Sequence, residues 1–174
     1  MAKKFRLLLL DANVIIELFR MGIWEQIVDR CDVHLSRTIL QEARYYEDDD
    51  GLRCGIDLVC CQRSGAVTVH DVSLSQDAEL TKHFGIAYLE RFDPGEREAL
   101  AHLLTSQERF TICSADSIVF KVLGYLNLAE QGISLEEILQ TIGLGRLVTW
   151  PFSKAFREKY TQDGFVDGLG RQSF

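Results

Sequence analysis

Several things are scarce in this 174-residue chain. There are only two prolines and no proline-rich stretch, so a long disordered linker is not expected. No apolar run approaches the length of a membrane span. The start, Met1-Ala2-Lys3-Lys4-Phe5, has the basic flank of a signal peptide, but the run Leu7–Leu10 ends at Asp11 and is too short for an h-region. The five cysteines are odd in number and contain no CxxC pair, which argues against a disulfide framework and a zinc ribbon. Reduced thiols, and hence a cytoplasmic protein, are expected. Positive charge is also in short supply: 26 acids face 19 Lys and Arg, a net charge of −7. Proteins that wrap duplex DNA through broad phosphate contacts are usually basic. An acidic chain can still act on nucleic acid when its acids converge on divalent cations.

Apolar residues make up 47%, enough for one domain with a substantial core. Short apolar runs alternate with helical patterns. Phe5–Leu10 reads as a buried strand, Ala12–Phe19 as a helix, Trp24–Val28 as a further helical turn, and Asp32–Leu35 as a strand. Ser36 caps a helix expected over Thr38–Tyr46, and Glu47–Gly51 is an acidic turn. A helix over Ile56–Cys61, an edge strand over Ala66–Val72 and a helix over Ser75–Phe84 follow. Asp93-Pro94-Gly95-Glu96 is a helix start with Asp as N-cap and Pro at the first position. Then come a strand at Phe110–Cys113, helices at Ala115–Leu126 and after Ser134, a strand at Arg146–Trp150, a helix at Phe152–Tyr160, and a glycine-rich, partly mobile end from Gly164. The class predicted is α/β, three layers (α/β/α) around a central, mostly parallel sheet. Residues 1–150 form the domain, and 151–174 a helical extension and tail that packs on it or serves an interface.

Asp11 is the most telling residue. It follows a buried strand directly, and a buried charge needs a partner or a metal. In parallel α/β sheets, ligands bind at the carboxyl ends of strands. Asp11 and Asp116 both belong there. At helical spacing, Glu96 shares a stripe with Ala99, Leu100 and Leu103, Asp116 with Val119, Phe120 and Leu123, and Glu42 with Ile39, Ala43 and Tyr46. Glu98 shares its stripe with Ala101, His102, Thr105 and Ser106, and reads as an ordinary solvated acid. Each inward acid also has an ordinary explanation. Glu96 completes a capping box, Asp116 is an N-terminal helix acid, and Glu42 pairs with Arg37 or Arg44. Together they predict a carboxylate cluster, which needs cations of the Mg²⁺ or Mn²⁺ kind. Asn13 and Ser114 are placed to hold a carboxylate or a metal-bound water.

The segments Leu10-Asp11-Ala12-Asn13-Val14, Glu42, Gly95-Glu96-Arg97-Glu98-Ala99 and Ser114-Ala115-Asp116 resemble the PIN-domain nucleases in order and spacing. The likeness covers roughly Phe5 to Leu126. It implies Mg²⁺- or Mn²⁺-dependent hydrolysis of phosphodiesters, usually in RNA, with single-stranded DNA as the other substrate it admits. Asp11, Glu42, Glu96 and Asp116 would be the catalytic acids, and Asp11, Glu96 and Asp116 the main metal ligands. Asn13 and Ser114 would support them. It further implies a homodimer, and an antitoxin-like protein partner if the chain is the toxin of a toxin–antitoxin pair.

Arg37, Arg44, Arg97 and Lys121 are cations near these acids. In the tail, Trp150, Phe152, Phe156 and Tyr160 interleave with Lys154, Arg157 and Lys159. The rival reading is a catalytically inactive PIN-like module that acts through protein contacts. An aspartyl phosphatase is disfavoured because Asn13 stands where a second Asp is needed. No acidic pair suits a receiver domain.

Overall fold

The computed structural model of the chain describes residues 5–171. The chain is mixed α/β with an all-parallel central sheet, the class that the sequence predicts. Its residues fall into two compact units, 1–110 and 111–174.

The first unit runs β1 (Phe5–Leu10), α1 (Ala12–Arg20), α2 (Trp24–Arg30), β2 (Cys31–Ser36), α3 (Arg37–Glu42), β3 (Tyr45–Glu47), β4 (Arg53–Gly55), α4 (Leu58–Arg63), β5 (Val67–His70), α5 (Leu74–His83), α6 (Ile86–Leu89) and α7 (Pro94–Thr105). Within it, β2 lies between β1 and β5, parallel to both. Val33 pairs with Val67 and Ser36 with His70. Successive strand side chains point to opposite faces. Val33 and Leu35 are buried on one face of β2, and His34 and Ser36 on the other. Both faces are therefore covered, as a parallel sheet requires. Leu9, Leu10, Val14, Ile15, Leu18, Ile27, Ile39 and Leu100 are each at most 1% exposed and form the core.

The expected helix over Thr38–Tyr46 is shorter than its periodicity suggests. Ser36 does cap α3, accepting from Ile39 N at 3.3 Å, but α3 ends at Glu42. Tyr45–Glu47 pairs antiparallel with Arg53–Gly55 instead. The Arg53 guanidinium sits 3.4 Å from the centre of the Tyr45 ring. Asp48 Oδ1 accepts from the backbone N–H of Asp50 and of Leu52, closing the turn. Turn chemistry and two adjacent tyrosines outweigh the helical spacing.

The second unit runs β6 (Thr111–Cys113), α8 (Ser117–Tyr125), a 3₁₀ turn at Ala129–Gln131, α9 (Leu135–Thr141), a 3₁₀ turn at Trp150–Phe152 and α10 (Lys154–Arg171). The strand expected at Arg146–Trp150 does not form, and Leu147 there is fully exposed, so burial offers that segment nothing. The tail is not loose from Gly164 onward: α10 continues to Arg171, and residues 172–174 lie outside the described residues. Gly124 of α8 and Gly164 of α10 explain this. A Cβ on Gly164 would overlap the Lys121 carbonyl, and one on Gly124 the Thr161 carbonyl. Their absence lets the two helix backbones touch. Arg157 adds a bidentate pair to Glu137 of α9, at 2.7 and 2.8 Å.

Candidate functional site

Asp11 ends β1 and caps α1. Its Oδ1 accepts from Val14 N at 2.8 Å, and the residue is 5% exposed. The strand delivers the acid to the carboxyl edge of the sheet, and the helix dipole favours its charge there. Glu96, in the first turn of α7, is 6% exposed and accepts from Asp93 N at 3.4 Å, the capping role open to it from the sequence. The stripe behind it is buried: Ala99, Leu100 and Leu103 are at most 4% exposed.

Glu42 departs from expectation. It closes α3, and the residue is exposed rather than inward-facing. Neither expected arginine holds it. Arg37 pairs with Asp71 at 2.8 and 2.9 Å, and Arg44 donates to the Gln41 carbonyl. Partial desolvation of its carboxyl, although the residue as a whole is exposed, followed by the charges of Asp93, Glu98 and Asp11, raises its pKa above the ordinary glutamate value. Gly95 makes this proximity possible: a Cβ there would lie 3.0 Å from Glu42 Oε2 and 2.7 Å from Ile39 Cγ1.

Glu98 also departs from expectation. Rather than a solvated acid, it is half-buried and accepts from Thr38 N at 3.1 Å and from Thr38 Oγ1 at 2.7 Å. It ties α7 to the start of α3. Asp93 and Glu98 are thus acids at this locus that the apolar-stripe criterion misses. Their signal was the Asp-Pro-Gly-Glu helix start, which brings α7 in beside α3.

Asp116 belongs to the second unit. It caps α8, with Oδ1 accepting from Ile118 N at 2.8 Å. Ser114 is buried and its Oγ accepts from Asp116 N at 2.9 Å, so it fixes the backbone of that acid. Asn13 is exposed on α1. Arg97 is bound to Asp77 at 2.5 and 2.6 Å, and Lys121 lies 5.3 Å from the Tyr160 ring centre.

A cleft of about 350 Å³ opens beside Glu42, lined by Ile16, Arg20, Tyr45, Tyr46 and Glu47 as well. Arg20 is held by Glu17 at 2.6 and 2.8 Å. The tyrosines enter through the β3–β4 hairpin, which the periodicity did not reveal. Among the described residues, no group of three or more His, Cys, Asp or Glu side chains is placed to hold a metal ion. The acids that act on Glu42 offer carboxylate oxygens, which suit hard cations.

The crowding at Glu42 has a measurable consequence. A carboxyl whose folded pKa is raised costs stability while it is ionised, and that cost vanishes as pH falls through the folded value. Glu42→Gln is expected to raise the melting temperature at pH 7 in EDTA by no more than about 2 °C, as suits an exposed carboxylate. The gain should shrink below pH 5. A lower melting temperature at pH 7 would show that Glu42 is not in a repulsive field.

No family model matches the chain, and no curated protein or solved structure matches it either. Among the described residues no helix is long and apolar enough to cross a membrane.

Proposed function

We propose that the chain is a Mg²⁺- or Mn²⁺-dependent nuclease of PIN-like design that hydrolyses phosphodiester bonds in RNA. The observation that supports this reading is geometric: Asp11 and Glu96 are carboxylates only 5% and 6% exposed, and Glu42, whose Oε2 would lie 3.0 Å from a Cβ on Gly95 of α7, lines an open cleft. Carboxylates that raise one another's proton affinity gain from a nearby cation, and the proposed Mg²⁺ or Mn²⁺ would supply that charge. Asp11 and Glu96 are the ligands offered by the first unit, and Asp116 is the fourth acid of the resemblance. Glu42 orients the attacking water and takes its proton. Ser114 steadies Asp116, and Asn13 stands by Asp11 on the exposed side of α1. A bound divalent cation supplies Lewis acidity toward a phosphate oxygen and lowers the pKa of a coordinated water.

A second reading has its own observation. Asp11, Glu96 and Asp116 all act in helix caps, roles that a catalytically inactive binding module would also keep. Cleavage separates the two. The purified chain is incubated with mixed RNA and single-stranded DNA in Mg²⁺, in Mn²⁺ and in EDTA. Cutting of RNA in either metal, abolished by EDTA, is the expected result. No cutting in any condition, together with no rise in melting temperature on adding either metal, favours the inactive module.

A further inference from the structure

Three of the four histidines come together in the first unit, one of them on α7, which also carries Glu96 and Glu98. His34 comes from β2, His70 from β5 and His102 from α7, all on the sheet face opposite Val33 and Leu35. His34 Nδ1 and His70 Nε2 are 2.6 Å apart, with ring planes 12° apart and centroids separated by 4.9 Å. The centroid separation exceeds the nitrogen separation by about two ring radii. The rings therefore meet edge to edge in nearly one plane, joined by a single N–H···N hydrogen bond. His102 lies face-on over His70, with centroids 4.0 Å apart. Phe110 presents its edge or face at 4.8 to 5.8 Å to all three rings.

We propose that His34, His70 and His102 form a pH-sensitive latch, which holds α7 on the sheet while the rings are neutral and releases it when they are protonated.

The geometry limits how many protons the cluster can hold. One N–H fits between His34 and His70. If both rings were imidazolium, two N–H groups would point at each other across 2.6 Å, and the bond would be lost. A charged His102 would lie flat against His70, and both its nitrogens are buried without a hydrogen-bond partner to accept the new proton's dipole. His34 Nε2 is likewise buried without a hydrogen bond, though Asp32 Oδ1 lies 3.4 Å away.

The charged groups around the cluster do not rescue it. Asp32 of β2 and Glu108, after α7, favour protonation of His34, and Glu108 and Asp71 favour that of His70. Asp71 is already bound by Arg37. From α5, packed on α7, Asp77 is bound by Arg97, and Gln76 donates to Thr105. Burial still lowers all three imidazoles, and the neighbouring rings press further on His70 and His102, the latter to about 4. Groups whose folded pKa lies below 6.5 make the unfolded or released state bind more protons as pH falls through that value. Stability is full above pH 7 and declines toward pH 4. Because α7 also carries Gly95, Glu96 and Glu98, the same release would disturb the acid locus.

The test is thermal melting of the full chain in EDTA between pH 7 and 5, for wild type, His102→Phe and His83→Gln. His83 is exposed on α5 and serves as the control. The wild-type melting temperature is expected to fall by about 5–10 °C per pH unit between pH 6 and 5. His102→Phe keeps an aromatic ring but not the titration, and should lose at least a third of that slope. His83→Gln should keep all of it. Hydrogen exchange, expressed as protection relative to the intrinsic rate at each pH, should show α7 amides losing protection at pH 5.5 compared with 7.5 while α1 keeps its own. Equal slopes in all three proteins, or α7 protection that is the same at both pH values, would overturn the latch. Should His102→Phe fail to fold, the wild-type imidazole signals decide. The signals of His34, His70 and His102 must titrate below the ordinary imidazole range, and midpoints within that range for all three refute the proposal.

Discussion

Asp11→Asn is expected to leave the chain folded and to remove metal-dependent cleavage of RNA. The two effects separate because Asp11 caps α1 and, on the proposed reading, also ligates a cation. As the cap of α1, its Oδ1 accepts from Val14 N at 2.8 Å. Asparagine keeps a carbonyl oxygen in the same place and ranks with aspartate as an N-cap. The melting temperature in EDTA should therefore match that of wild type or exceed it slightly, since one charge near Glu42 is gone. The lost charge is what a divalent cation needs. Ligand charge contributes several kcal/mol to a site of this kind, and each 1.4 kcal/mol is tenfold in rate, so the loss should exceed about 100-fold. The rise in melting temperature on adding Mg²⁺ or Mn²⁺ should disappear with it. A variant that cuts at the native rate would remove Asp11 from the site. One that no longer melts cooperatively would show that the acid is structural first.

The largest effect on stability is expected at Gly164. A Cβ there would run into the Lys121 carbonyl, which is backbone and cannot swing aside. Gly164→Ala must push α10 away from α8 along a buried contact that includes Phe120 and Phe156. Overpacking of this kind costs about 1–3 kcal/mol when side chains can yield, and more when backbone must move. A fall in melting temperature of roughly 6–12 °C is expected for a cost of about 3 kcal/mol. Gly170 is the comparison. It lies on the same helix with nothing within 4 Å of its would-be Cβ. Gly170→Ala should be neutral or stabilising by less than about 1 kcal/mol, because alanine has the better helix propensity. If both substitutions behave alike, the close approach of α8 and α10 is not what the glycines provide.

Much of the local structure was legible along the chain because its signals are local. Ser36 and Ser134 lie one turn from the bonds they make and cap as read, and the Asp93–Glu96 helix start forms its capping box; Asp116, read as an acid inside the helix, is instead the cap of α8. The buried stripe of α7 through Ala99 and Leu100 follows from a 3.6-residue period. What failed was non-local or competed with that period. The β3–β4 hairpin depends on two segments finding each other across the Asp48–Gly51 turn, and the helical pattern through Tyr46 masked it. The tail from Gly164 looked loose because glycine weakens an isolated helix. It is helical because α8 offers a surface that only glycine can approach.

The candidate site divides the same way. The sequence alone determined that Asp11 closes a buried strand, that Glu96 opens a helix with an apolar back, and that the sheet is parallel. Hydrophobic periodicity and capping chemistry are enough for each. Only the tertiary structure decided that Glu42, at an exposed helix end, feels the charges of Asp93, Glu98 and Asp11, with Gly95 letting α7 approach α3. Only the tertiary structure joined His34, His70 and His102 from positions 34, 70 and 102 into one buried stack. Charge repulsion and ring packing act through space at a few ångströms. The register of β2 against β5 and the seating of α7 on that face set those distances, and no spacing along the chain encodes them.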